Sequence, residues 1–156
     1  MSFTVTSPVT GGAQTGFTSP TYTLAADTPP TSAGKQYAVT AIGGTQTGVD
    51  ATSSATRPFT VTLSRPQNLK ALSVVDPVTG VLRSVPRNPY VILVRKGVTP
   101  LAGQAPATLL AKLVIDMPAG ADIADAANCR AAMSLLVGVL NQISSSMGDT
   151  IVTGVI

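Results

Sequence analysis

Few side chains in this sequence are equipped for covalent chemistry. It has a single Cys, Cys129, no His and no Glu, and all seven acidic residues are Asp. Without His, the commonest general base and metal ligand is missing, which removes most hydrolase and metalloenzyme mechanisms. A lone Cys can support neither an intrachain disulfide framework nor a thiolate metal cluster, and in an apolar segment it reads as a small core residue. Asp122 and Asp125 could be paired as acid and base, but their spacing fits the start of a helix, where carboxylates meet the positive end of the backbone dipole. Ser144, Ser145 and Ser146 have no accompanying base to activate them. The stretch from Gly43 to Gly48 lacks the Lys-Ser/Thr that a phosphate-cradling loop requires, so it reads as a turn. The expectation is no catalytic residue, no metal and no cofactor.

What remains is electrostatics. The net charge is +3, unevenly distributed. Residues 57–96 carry Arg57, Arg65, Lys70, Arg83, Arg87, Arg95 and Lys96 against Asp76 alone, a balance of +6. The segments on either side are slightly acidic, at −1 for 1–56 and −2 for 97–156. A concentrated basic patch suits a polyanionic partner, although ordinary solvated strand and loop charge would look similar.

The rest of the chain has little to do with water. Only 11 % of its 156 residues are charged, about half the usual share, while 44 % are hydrophobic. The opening MSFTVTSPVT has no positive region and no continuous apolar core, so neither a signal peptide nor a membrane partner is expected. The longest apolar-plus-Gly run, Leu135 to Leu140, is far short of the ~20 residues that span a bilayer. A small domain so poor in charge must hide its surface in an assembly.

The first two-thirds reads as β structure, with Thr, Val, Ile and aromatic residues in short runs bounded by Gly, Pro and Ser. Phe3–Thr6 and Phe17–Leu24 flank the turn-rich Pro8–Ala13, giving an N-terminal hairpin within residues 1–25. A sheet is expected over 36–118, with strands at Gln36–Ile42, Phe59–Ser64, Tyr90–Val94 and Thr108–Met117. Phe59–Ser64 alternates cleanly: Phe59, Val61 and Leu63 face one way, and Thr60, Thr62 and Ser64 the other. From 122 to 145 the period becomes helical, with Asp122 as N-cap, and apolar residues cover most of the circumference. Such a helix must be covered on two sides, by a sheet and by a second subunit. Ser144–Gly148 is expected to end it, leaving 149–156 as an apolar tail. The predicted class is α+β, in one domain over 1–156.

In this order and local pattern the chain resembles the coat proteins of single-stranded RNA bacteriophages, the levivirus group. The resemblance is carried by the strand Phe59–Ser64 followed by Arg65-Pro66 and by Asn88–Lys96. A Pro/Gly loop, the strand Ala111–Pro118 and a helix with Cys129 and Leu135-Leu-Val-Gly-Val-Leu140 complete it. It implies an interlocked homodimer whose helices lie over the partner's sheet, and an icosahedral T=3-type shell around the RNA genome. It also implies an RNA hairpin bound on the inner face to repress replicase translation. The location would be the virion, assembled in the bacterial cytoplasm, with no membrane or small-molecule partner.

Carried over residue by residue, Arg57, Thr60, Thr62, Ser64, Arg65, Arg95, Lys96 and Lys112 would meet RNA. Met133, Leu136, Val137 and Leu140 would form the dimer interface. Of Arg95 and Lys96, adjacent on a strand, one should point inward. On the last strand Leu110, Lys112 and Val114 share the RNA side, with Ala111, Leu113 and Ile115 in the core. The family offers an aromatic ring near Lys112 for base stacking; Leu110 stands here, which leaves charge as the main grip on RNA. The segment from Pro66 to Asn88 is longer than the family's turn. The loop Val98–Pro106 has no Cys through which subunits could be linked. A secreted or surface module of pilin or adhesin type is the alternative, on its 21 Thr and 13 Ser with so little charge.

Overall fold

The computed structural model describes residues 3–51 and 53–156. Met1 and Ser2 of the expected hairpin, and Thr52, lie outside them. Six strands form one antiparallel sheet in chain order: β1 (Val9–Thr10), β2 (Thr18–Asp27), β3 (Gly34–Thr45), β4 (Phe59–Ser64), β5 (Arg87–Val98) and β6 (Ala107–Pro118). Each strand pairs with its sequence neighbour, the simplest arrangement for β-branched runs separated by turn residues. β5 and β6 pair without interruption from Arg87↔Pro118 to Val98↔Ala107. β2 and β3 pair with two irregularities. At one of them Gly44, at φ 72°, lies so close to the Ser19 carbonyl that a side chain would clash.

The hairpin is smaller than expected. Phe3–Thr6 is not a strand, and β1 is the two-residue Val9–Thr10, inside the stretch read as the turn. It joins the same sheet as the other strands. The strands expected at Gln36–Ile42, Tyr90–Val94 and Thr108–Met117 are present but longer, because cross-strand hydrogen bonds continue past the alternating core of each run.

Register sorts the side chains into two faces. Thr60 lies opposite Arg95, Thr62 opposite both Gln36 and Leu93, and Leu93 opposite Lys112, so these share one face. Phe59, Val61, Leu63, Val94 and Ile92 share the other. Val39 and Leu63, at 4 % and 6 % exposure, are the best-buried apolar strand residues. No large side chain among the described residues is fully buried. One chain therefore supplies half a core.

The expected single helix over 122–145 is three helices: α1 (Ala121–Ala124), α2 (Ala126–Gln142) and α3 (Ser144–Thr153). Asp125 leaves helical geometry at φ −145°, ψ 49°, and its carboxylate accepts the Asn128 side-chain amide. Asp122 is thus inside α1 and Gly120 occupies the N-cap. The long helix does end here, at Gln142 with Ile143 as its C-cap, but Ser144–Gly148 is not a loop. It opens α3, because Ser144 is buried against the N-terminal loop: its hydroxyl donates to the Ala13 carbonyl, and Gln14 donates to its carbonyl at 2.8 Å. The expected tail at 149–156 is helical to Thr153 and stops at Gly154, φ 74°.

Candidate nucleic-acid interface

Alternation places Thr60, Thr62 and Ser64 of β4 on the polar face, and the pairing register brings Arg95 and Lys112 beside them. The hydroxyl-bearing residues are not idle there. Thr60 and Thr62 are only 5 % and 4 % exposed. The Thr62 hydroxyl donates to Gln36 Oε1 at 2.9 Å, and Arg95 Nη2 donates to the same oxygen at 2.6 Å. Arg95 Nε reaches Thr60 Oγ1 at 3.1 Å. Gln36 Nε2 in turn donates to Asp27 Oδ2 at 2.6 Å, so one polar row crosses β2, β3, β4 and β5. The Gln36 bond, then that from the Thr28 backbone, holds the Asp27 carboxyl below the usual range, with a smaller contribution from the Arg95 charge.

Lys112 is exposed on β6, and Leu110 and Val114, which share its phase, are exposed as well. Leu113 and Ile115 are half-buried, as the alternation assigned to that strand requires, whereas Ala111, assigned to the same core side, is exposed. Arg65 projects into solvent beyond the end of β4, its guanidinium near the Pro66 carbonyl.

Arg57 and Lys96 belong to a different cluster. Lys96 pairs with Phe59, so it lies on the face opposite Arg95, with its ammonium 4.2 Å from the Phe59 ring centre. It also donates to the Asp50 carbonyl at 2.9 Å. Burial pushes its pKa below the ordinary lysine value, Asp50 pulls it back up, and Arg57 lowers it. Arg57 pairs with the Asp50 carboxylate at 2.5 Å and donates to the Thr99 hydroxyl. This is possible because Gly97 has no side chain: a Cβ there would lie 2.6 Å from Arg57 Cα. The pair thus fastens the 47–58 segment to the start of the 98–106 loop.

Sequence reasoning missed Gln36, Asp27 and Asn88. Asn88 is buried and bonds both the amide and the carbonyl of Lys70, pinning the long 66–86 connection to β5. The signal for Gln36 was its register against Thr62, which a single strand cannot reveal. That connection carries a compact turn: Asp76 accepts from the Val78 and Thr79 amides and pairs with Arg83 at 2.7 Å.

The helix residues assigned to an interface are divided. Met133, Leu136 and Leu140 are half-buried within the chain, whereas Val137 is 65 % exposed; Leu135, outside that set, is 69 % exposed. None of the α2 residues is buried. Over the middle of the apolar sheet face lies an open cavity of about 300 Å³, lined by Val9, Tyr22, Leu24, Val39, Phe59 and Val94 among others, with no helix residue in its wall.

A polar sheet face with positive charge, backed by an apolar face with room left on it, suits a subunit of an assembly. Among the described residues no group of His, Cys, Asp or Glu could hold a metal ion, and no helix is long and apolar enough to cross a membrane. Comparison with solved structures finds the virus-like particle of bacteriophage ESE020. It is 52 % identical, matches 99 % of this chain and 100 % of its own, and superposes with a TM-score of 0.96. The chain belongs to the bacteriophage coat proteins. No protein-family model and no curated protein matches the sequence. A coat protein is a structural component of the virion, and the six-stranded antiparallel sheet with C-terminal helices is the coat-protein fold seen in that particle.

Proposed function

We propose that this coat protein is that of a single-stranded RNA phage of levivirus type. It pairs with a second copy, assembles as dimers into a closed icosahedral shell, and holds single-stranded RNA against the polar face of its sheet. The observation that carries the reading is full-length similarity to a protein that forms a virus-like particle, joined to a sheet whose two faces differ in kind. The open cavity over the apolar face and the exposed side of α2 are complementary in character. A partner's helix, presenting Leu135 and Val139, would fill the one and cover the other, with Met133, Leu136, Val137 and Leu140 completing the interface.

On the polar face Arg95 and Lys112 supply charge beside Thr60, Thr62 and Ser64. Arg65, at the strand end, adds to this patch, whereas Lys96, on the opposite face, and Arg57, paired with Asp50, are engaged elsewhere. Each phosphate contact to a single strand should add about −0.7 to the slope of log affinity against log salt. The test is negative-stain microscopy of the purified protein with an ultraviolet spectrum of the same fraction. The chain has no Trp and three Tyr, so packaged RNA dominates at 260 nm. Uniform round particles with that absorbance are expected. A nucleic-acid-free small species would overturn both assembly and packaging.

A further inference from the structure

The arginines of this chain are not held alike. Arg57 and Arg83 each pair directly with a carboxylate, Asp50 and Asp76. Arg95 is held by two neutral acceptors, the Thr60 hydroxyl on Nε and the Gln36 amide oxygen on Nη2. Its geometry is fixed while its charge is not cancelled by a contacting anion. Among the described residues, Nη1 makes no hydrogen bond, so two of its donors remain for a ligand.

Gln36 can do this only in one orientation. Its amide must present Oε1 to Thr62 and Arg95, and Asp27 enforces that by accepting from Nε2. Were the amide flipped, an N–H would face the guanidinium and the Asp27 carboxylate would face a carbonyl oxygen. The row from Asp27 to Arg95 therefore sets the plane of a guanidinium on the face where the hydroxyls and Lys112 also lie.

We propose that Arg95 is a fixed hydrogen-bonding fork for single-stranded RNA, and that Gln36 and Asp27 are positioning residues that aim it. This rests on the reading that the polar face meets RNA, and it adds that the contact is directional and not a mobile counter-ion. A planar guanidinium held on two sides offers paired donors to a phosphate or a base edge; a lysine ammonium offers only a point charge.

The experiment measures the affinity of dissociated coat protein for two labelled probes, a 20-nucleotide oligo(U) and a random-sequence 20-mer pool, across a range of KCl. Arg95→Lys keeps the charge and should weaken binding about tenfold with little change in salt slope. Gln36→Met is nearly isosteric and alters no charge, and should weaken binding several-fold. In a Gln36→Met or Asp27→Ala background, Arg95→Lys should cost little more, because the fork is already loose. Asp27 is exposed near the end of β2, so its variant guards against loss of folding. Wild-type affinity in Arg95→Lys would overturn the proposal, as would an undiminished Arg95→Lys penalty in both backgrounds. If the wild-type protein binds neither probe and its particles carry no nucleic acid, the RNA reading itself fails and this proposal with it.

Discussion

On one face of the sheet Gln36, Thr60 and Thr62 are buried, and each is hydrogen-bonded within the chain. On the other, Val39 and Leu63 are buried among apolar neighbours, yet an open cavity remains beside them and α2 leaves Leu135 and Val137 in solvent. The polar face is finished by one copy; the apolar face is not. Polar groups can be satisfied by a few directed bonds, whereas an apolar surface is satisfied only by area. A 156-residue chain whose long helix α2 buries none of its residues does not have enough of it.

The comparison can be broken most forcefully on the apolar face. Leu63→Asp puts an unpaired charge into a buried site, at a cost of several kcal/mol, and should abolish particles and folded protein alike in microscopy and circular dichroism. Next in size is Leu135→Asp with Val139→Asp on the exposed side of α2. In an isolated chain such surface changes would fall within about 0.5 kcal/mol. The expected result is loss of particles with secondary structure retained, seen by sedimentation; unchanged particles would mean that this side of α2 needs no cover.

Smaller effects are expected on the polar face, and they should spare assembly. Arg95→Ala should lower the 260 nm absorbance per particle while particles persist; particles lost along with the RNA would show that the two faces are not independent. The smallest effect comes from pH. The Gln36 and Thr28 bonds hold the folded Asp27 pKa below its unfolded value. Its contribution to stability is therefore complete above the unfolded carboxylate pKa and is lost as pH falls through the folded one. A carboxyl chemical-shift titration of Asp27 should show a midpoint below the ordinary value, moving up toward it in Gln36→Met.

The alternation of Phe59–Ser64 was legible because a strand has period two, and it correctly separated Thr60 and Thr62 from Val61 and Leu63. The phase of Lys112 followed from the same rule. The helical period after residue 121 was equally plain, but its breaks were not. Asp125 departs from helical geometry through its own backbone and its bond to Asn128. Ser144 opens a second helix, where Ala13 and Gln14, some 130 residues earlier, meet it. Serines read locally as a stop became a start once that distant loop was in place.

The sequence by itself determined the kind of elements, the two-faced character of the strands, the poverty of charge that calls for assembly, and the absence of His and Glu. Periodicity and composition are local or additive, so they survive without coordinates. Only the tertiary structure decided that Arg95 joins the polar row while its neighbour Lys96 crosses to Phe59. It alone made Gln36 the hub, through bonds to residues on β2, β4 and β5. Those choices depend on the register between strands, and register is settled when the whole sheet pairs at once.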